Sequence, residues 1–403
     1  MTQPAAVVPV IPPLEVSGVT EGDRRLAATL ASQVSLQHSL SAVDVQSAED
    51  LYARHPGESE LRDLLAVVLI SASRQERAAR HTAQAASYLR RAAALRPEDT
   101  TARLALLDLL LQTADWSGAE AAARDTLALE PRNADALQGL AYALYRQDRN
   151  REAAEVLQDA LEVRPYNPTA LWLSARLRKG MSDESGMTEQ HLSHFNVRYD
   201  GEAHEDVGRE ILRVLERHYA TLVQTFDQEP AATIPVILFT RQGYYDASGA
   251  PAWSGGEFDG TDGRIRVPVM GLTSSLTPQM DETLIHELTH AFIHDRSRGL
   301  APREIHEGLA QYMEGHRIAT ELAPQQITAL ASGRIGGPAG FYLGALSFVE
   351  HLMSLRGQGG INDVLRAMQE TGSVDEAFRR VYGQDYFNTQ TAWRERLRQQ
   401  YGG

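Results

Sequence analysis

Pro97, Pro131 and Pro165 stand 34 residues apart, and the chain between them is rich in Ala and Leu with no other proline. A fixed period of that length points to stacked helical hairpins, each too small to bury its own apolar face without a neighbour. Aligned on the prolines, Leu106 falls over Leu140, Leu110 over Leu144, Ala119 over Ala153 and Leu127 over Leu161, while Ala85 and Leu89 continue the register upstream. Pro56 precedes Pro97 by 41 positions, which fits one further repeat with about seven extra residues placed around 74–82. Residues 24–55 are expected to form a capping hairpin, and 167–178 a closing helix with Leu171 and Leu173 over the last repeat.

On these residues the module resembles the tetratricopeptide repeat. The small residue of that repeat at the crossing of its two helices is present as Ala119 and Ala153, together with the closing proline. The large aromatic early in its first helix is replaced by Arg103 and Leu137. The expected organisation is a flexible tail at 1–23, helical repeats at 24–180, a linker at 181–193 and a second domain at 194–403. A chain of 403 residues exceeds what one hydrophobic core usually serves. The repeats offer either a surface for a peptide or partner protein, or a spacer or lid.

A net charge of −14 repels a phosphate backbone, so nucleic acid is excluded as an expected partner. With no cysteine, disulfides and thiolate metal sites are excluded, and any metal must rest on His, Asp and Glu. The apolar run at 64–70 is far short of the roughly 20 residues of a transmembrane helix. The prolines at 9, 12 and 13 break the early apolar stretch, so no signal peptide is read. The expected location is cytoplasmic by default, or extracytoplasmic if a leader was trimmed.

In the second half, 194–199 alternates as a strand, 207–226 carries helical spacing, and 234–239 reads as a buried strand. Asp259-Gly260 and Asp262-Gly263 mark a hairpin within 257–269, and helices follow from Pro278. Strands first and helices after indicate an α+β domain.

The chemistry centres on His286-Glu287-Leu288-Thr289-His290. Thr277 as N-cap and Pro278 in the first turn predict a helix whose buried stripe is Met280, Leu284 and Leu288. Histidines four apart share one helix face about 6 Å apart along the axis and can converge on one ion, expected to be Zn2+. Glu287 lies about 100° around the helix, close enough to act on a metal-activated water without ligating the metal. His294 is roughly 12 Å along the axis from His286, too far to share that ion.

A third ligand is needed, and the segment at 302–312 offers Glu304 and Glu307. Here the chain resembles the gluzincin, thermolysin-like metallopeptidases, in which a downstream Glu followed by Gly and a small residue completes the zinc site. Glu307, followed by Gly308 and Ala310, is the matching position, 17 residues beyond His290. The closer resemblance is to bacterial peptidase MA-like proteins, several of which carry tetratricopeptide repeats; it covers roughly 194–399, including the hairpin, the helix at 342–352 and the tail around Trp393. Two positions depart from the pattern. Glu304 stands where Trp is frequent and offers a rival ligand, and Gln311 replaces an Asp that supports a zinc-bound histidine, which lowers the expected metal affinity.

The resemblance implies an all-α tetratricopeptide-type solenoid followed by an α+β zincin-like metallopeptidase domain. It also implies Glu287 as general base in peptide-bond hydrolysis, and Tyr342 as an oxyanion donor. Tyr342 reads equally well as an interhelix core residue, with Tyr312 and His306 as other candidates. The leading expectation is a zinc-dependent endopeptidase whose repeats recruit substrate or partner. The alternatives are a repeat-based adaptor with a structural or inactive zinc site, and metal-dependent hydrolysis of a non-peptide bond.

Overall fold

The computed structural model describes residues 19–200, 205–239, 243–245, 255–269 and 276–401. The chain divides into two compact units, Met1–Leu177 and Arg178–Gly403. No described helix is long and apolar enough to cross a membrane.

The described part of the first unit is helical, with α1 (Glu21–Ser35), α2 (Ala42–Arg54), α3 (Ser59–Ala78), α4 (Thr82–Leu95), α5 (Thr101–Gln112), α6 (Trp116–Leu129), α7 (Ala134–Arg146), α8 (Asn150–Val163) and α9 (Pro168–Asp183). The periodic prolines set the second helix of each pair. Helices α2, α4, α6 and α8 all end two residues before a proline. A proline ring excludes the residue before it from the helical region. Accordingly His55, Arg96, Glu130 and Arg164 have φ between −126° and −135° with ψ between 61° and 82°.

A second periodic feature sits between the helices of each pair. Arg80, Ala114 and Asp148, also 34 apart, have φ of 63°, 55° and 62°. The following amides reach back five residues to close each helix, as in Asp115 N–H donating to the Leu110 carbonyl at 3.0 Å. A left-handed alanine costs about 1 kcal/mol that glycine avoids. Ala114→Gly is therefore expected to raise stability by about 0.5 kcal/mol, seen as a higher urea midpoint. An unchanged or lower midpoint would contradict the strain at this turn.

The stacked positions behave as aligned. Ala85, Ala119 and Ala153 are fully buried, and Leu106, Leu110, Leu140 and Leu144 line the same core. The extra residues of the early repeat fall where α3 runs on to 20 residues, against 12 in α5. Two expectations need correction. Leu171 is 46% exposed while Leu173 is fully buried. Two residues on a helix are about 200° apart, so both cannot face the repeat. The tail expected at 1–23 is shorter: Val19 is buried, Thr20 caps α1, and Asp23 pairs with Arg54 and His55. Residues 1–18 lie outside the described residues.

The second unit is mostly helical with a small mixed sheet. Its strands are β1 (Met187–His191), β2 (Phe195–Asp200), β3 (Ile234–Phe239), β4 (Glu257–Asp259) and β5 (Arg264–Pro268), in the order β1-β2-β3-β5-β4. β2, β3 and β5 run parallel, and the outer strands β1 and β4 pair antiparallel. The segment expected as a linker at 181–193 is thus part of the fold. α9 runs to Asp183, Gly186 turns at φ 86°, and β1 adds to the sheet. Buried Glu184 fixes this stretch by accepting from Arg264 at 2.7 Å and pairing with Arg198 at 3.4 Å.

Strand alternation separates the two faces of the sheet. Phe195, Val197, Val236, Leu238, Ile265 and Val267 join the main core. On the intervening positions, Arg198, Arg264 and Arg266 are neutralised by Glu189, Glu184 and Asp262. The core that includes this face of the sheet also takes in α10 (Glu205–Phe226), α11 (Pro278–Ser297) and α12 (Arg303–Glu314), whereas α13 (Ile318–Glu321) and α14 (Pro324–Ala331) pack with Leu346 in a separate small cluster; α15 (Gly337–Thr371), α16 (Val374–Tyr382) and α17 (Tyr386–Tyr401) return to the main core. α15 is broken at Gly357, where φ is 61° and ψ −165°.

Candidate metal centre

Helix α11 begins as its residues dictate. The Thr277 hydroxyl accepts from Met280 N–H at 3.2 Å and Pro278 occupies the first turn. Leu284 and Leu288 are fully buried, with Met280 at the margin of the core. This burial turns the opposite face, with His286 and His290, outward from the core. Their rings lie 4.7 Å apart and nearly perpendicular. The helix stops where Arg298 and Gly299 adopt φ of 52° and 71°, and Pro302 starts α12.

Helix α12 brings Glu307 back to the histidines. Its Oε2 is 3.6 Å from His286 Nε2 and 3.9 Å from His290 Nε2. One donor atom from each of the three residues lies within 4.8 Å of the others. Tetrahedral zinc with bonds of about 2.1 Å holds its donors about 3.4 Å apart, so a contraction of at most about 1.4 Å would close the set. Two imidazoles and one carboxylate also match the donor chemistry of that ion.

Close packing makes this approach possible. A β-carbon on Gly308 would sit 2.3 Å from the Ala345 carbonyl oxygen and 2.6 Å from a Val349 methyl, so α12 rests directly on the α15 backbone. Gln311 does not reach the histidines. Its amide donates to the carbonyls of Glu307 at 2.9 Å and Tyr342 at 3.0 Å, tying α12 to α15.

Glu287 is only 6% exposed. Burial pushes its carboxyl up to about 7 against the opposing pull of His286, and the Phe258 backbone N–H of β4 donates to it. Gly256 leads into β4 just above this side chain; a β-carbon there would meet Glu287 Cγ and Thr283 Cγ2 at 3.0 Å. For His286, burial opposes charge, but hydrogen bonds to Glu307 and Glu314 and the nearby carboxylate charges outweigh it, pushing its pKa up to about 10. His290, buried beside that charge, is held well below the ordinary histidine value. One cation among the carboxylates of Glu287, Glu307 and Glu314 is thus already favoured.

Other candidates lie elsewhere. Glu304 accepts from the Tyr386 hydroxyl at 3.2 Å and is outside the donor group. His294 packs edge-on against Phe258, with ring centres 5.5 Å apart. Tyr312 joins the core, its ring stacked under the Arg317 guanidinium at 3.4 Å. Tyr342 opens α15 beside Phe341, and among the described residues its hydroxyl has no hydrogen-bond partner.

Two contacts were not foreseen. Glu314 accepts from His286 Nδ1, with Oε1 at 3.1 Å. His306, whose pKa burial drops to about 4, places Nδ1 3.4 Å from His290 Nδ1. The spacing of Glu314, seven residues after Glu307 and so on the same helix face, was the available signal.

No family model matches the chain, and no curated protein matches it. Among solved structures, the Arabidopsis OM64 TPR domain is similar at 21% identity, covering 29% of this chain and 98% of that chain with a TM-score of 0.28. A score that low carries no argument here.

Proposed function

We propose that the second unit is a gluzincin-type peptidase, with zinc held by His286, His290 and Glu307, and that the repeats recruit its substrate or a partner protein. The observation behind this reading is the convergence of the three donor atoms within 4.8 Å beside a buried, unligated Glu287. When bound, zinc supplies Lewis acidity that polarises a scissile carbonyl and makes water acidic near neutral pH.

The chain's own residues do the rest. The Glu287 carboxylate takes a proton from the attacking water and passes it to the leaving amine as the C–N bond breaks. Burial pushes the Glu287 carboxyl up to about 7, and a divalent cation held by the three donors would favour its ionised, proton-accepting form. β4 stands at the end of the strand order beside Glu287, whose carboxyl accepts the Phe258 N–H, so the end of the sheet adjoins the proposed base.

The test joins metal analysis to a broad peptide library. About one zinc per chain together with cleavage supports the peptidase. Zinc at that ratio with no cleavage at any pH supports instead an adaptor with a structural metal site. Glu307→Ala is expected to lose zinc on dialysis, whereas Glu304→Ala, whose carboxylate serves Tyr386, keeps it. The reverse pattern would show that the third ligand is the other carboxylate.

A further inference from the structure

A histidine that binds a metal through one ring nitrogen leaves the other to fix its tautomer and orientation. Taking His286, His290 and Glu307 as the ligands, as proposed above, both histidines turn Nε2 toward Glu307, so each Nδ1 needs a partner. The position four residues after Glu307, where a carboxylate supplies that support in the similar metallopeptidases, holds Gln311. Both N–H groups of its amide are already committed to the backbone carbonyls of Glu307 and Tyr342.

We infer that this chain has moved the orienting role to two other residues of α12: Glu314 positions His286, and His306 positions His290. Seven residues from Glu307, Glu314 returns to the same face about 10 Å further along the helix. Its side chain is only 13% exposed, and its Oε1 lies 3.1 Å from His286 Nδ1. An ionised carboxylate only accepts, so the proton must sit on His286 Nδ1 and the Nε2 lone pair is left for the metal. The same logic at His290, with 3.4 Å between the two Nδ1 atoms, makes His290 the donor and His306 the acceptor in its Nε2–H form.

The two supports differ in strength. A carboxylate raises the basicity of its histidine, whereas a neutral imidazole only orients. Glu314 is therefore the larger contributor to metal affinity, and His306 the smaller. Neither belongs to the donor group, so both are assigned as positioning residues.

The test uses the full chain and reads Zn2+ affinity by competition with a chromophoric chelator, plus the visible absorption of the Co2+-substituted protein. Glu314→Ala is expected to weaken Zn2+ binding about 10–100-fold and to shift the Co2+ bands, while its far-UV spectrum stays that of wild type. Glu314→Gln, whose amide oxygen still accepts, should recover part of that loss. His306→Phe should weaken binding by about 10-fold or less, and Gln311→Ala by less than about twofold. If Glu314→Ala and Glu314→Gln both bind Zn2+ like wild type with unshifted Co2+ bands, the inference is wrong although the ligand set stands. If wild type itself takes up no Zn2+, the ligand reading fails first.

Discussion

Glu287→Gln is expected to retain about one zinc per chain and to lose peptide cleavage by a factor of about 100 to 10,000, the range a general acid–base group contributes. Gln keeps the shape of the side chain and an oxygen to accept the Phe258 N–H, so the loss would isolate proton transfer from packing. Burial favours the variant structurally, since an uncharged group replaces a carboxyl that is already hard to ionise there. The variant is thus expected to fold at least as well as wild type. Cleavage of the library at wild-type rate, with zinc still bound, would remove Glu287 from the chemistry.

Gly308→Ala should have the largest effect on stability. A methyl group at that position meets the backbone of Ala345 at 2.3 and 2.7 Å, and a backbone cannot swing aside as a side-chain end can. The helices must separate, at a cost of about 3 kcal/mol, with Glu307 displaced alongside. The control lies across the same pair of helices. Gly344→Ala on α15 meets only Trp393 Cη2 at 3.8 Å, and alanine is the better helix former by about 1 kcal/mol. Urea unfolding should show the first variant markedly destabilised and the second unchanged or improved. Equal behaviour would mean that α12 and α15 are not in backbone contact at Gly308.

Both the periodic helices and the histidine pair were legible because each depends on local spacing. The 34-residue proline register reappears as three helix ends, and the four-residue step from His286 to His290 places their rings together. The sequence was less informative where a decision depends on side-chain reach. Gln311 and Glu314 share the face of one helix, and no pattern tells which of them meets His286; the answer lay in the Tyr342 carbonyl, which captures Gln311. Edge strands were hard for another reason. β1 has one paired side and is half-buried only at Met187 and Gln190, so its Met-Thr-Glu-Gln-His sequence carries no apolar period to separate it from a linker. Leu171 was misread because composition marks a helix as apolar without saying which side of it is covered.

The Gly308 contact has a consequence for the order of assembly. His286 and His290 precede Glu307 in the chain, but Gly308, beside Glu307, is seated against Ala345 and Val349, which come later still. A chain emerging from the ribosome therefore carries both histidines before it has the surface that seats their carboxylate partner. Contacts so distant in sequence form slowly and together. A nascent chain that has not yet made α15 would hold both histidines without the surface that seats Glu307, so the three donors would gather only after that helix has formed.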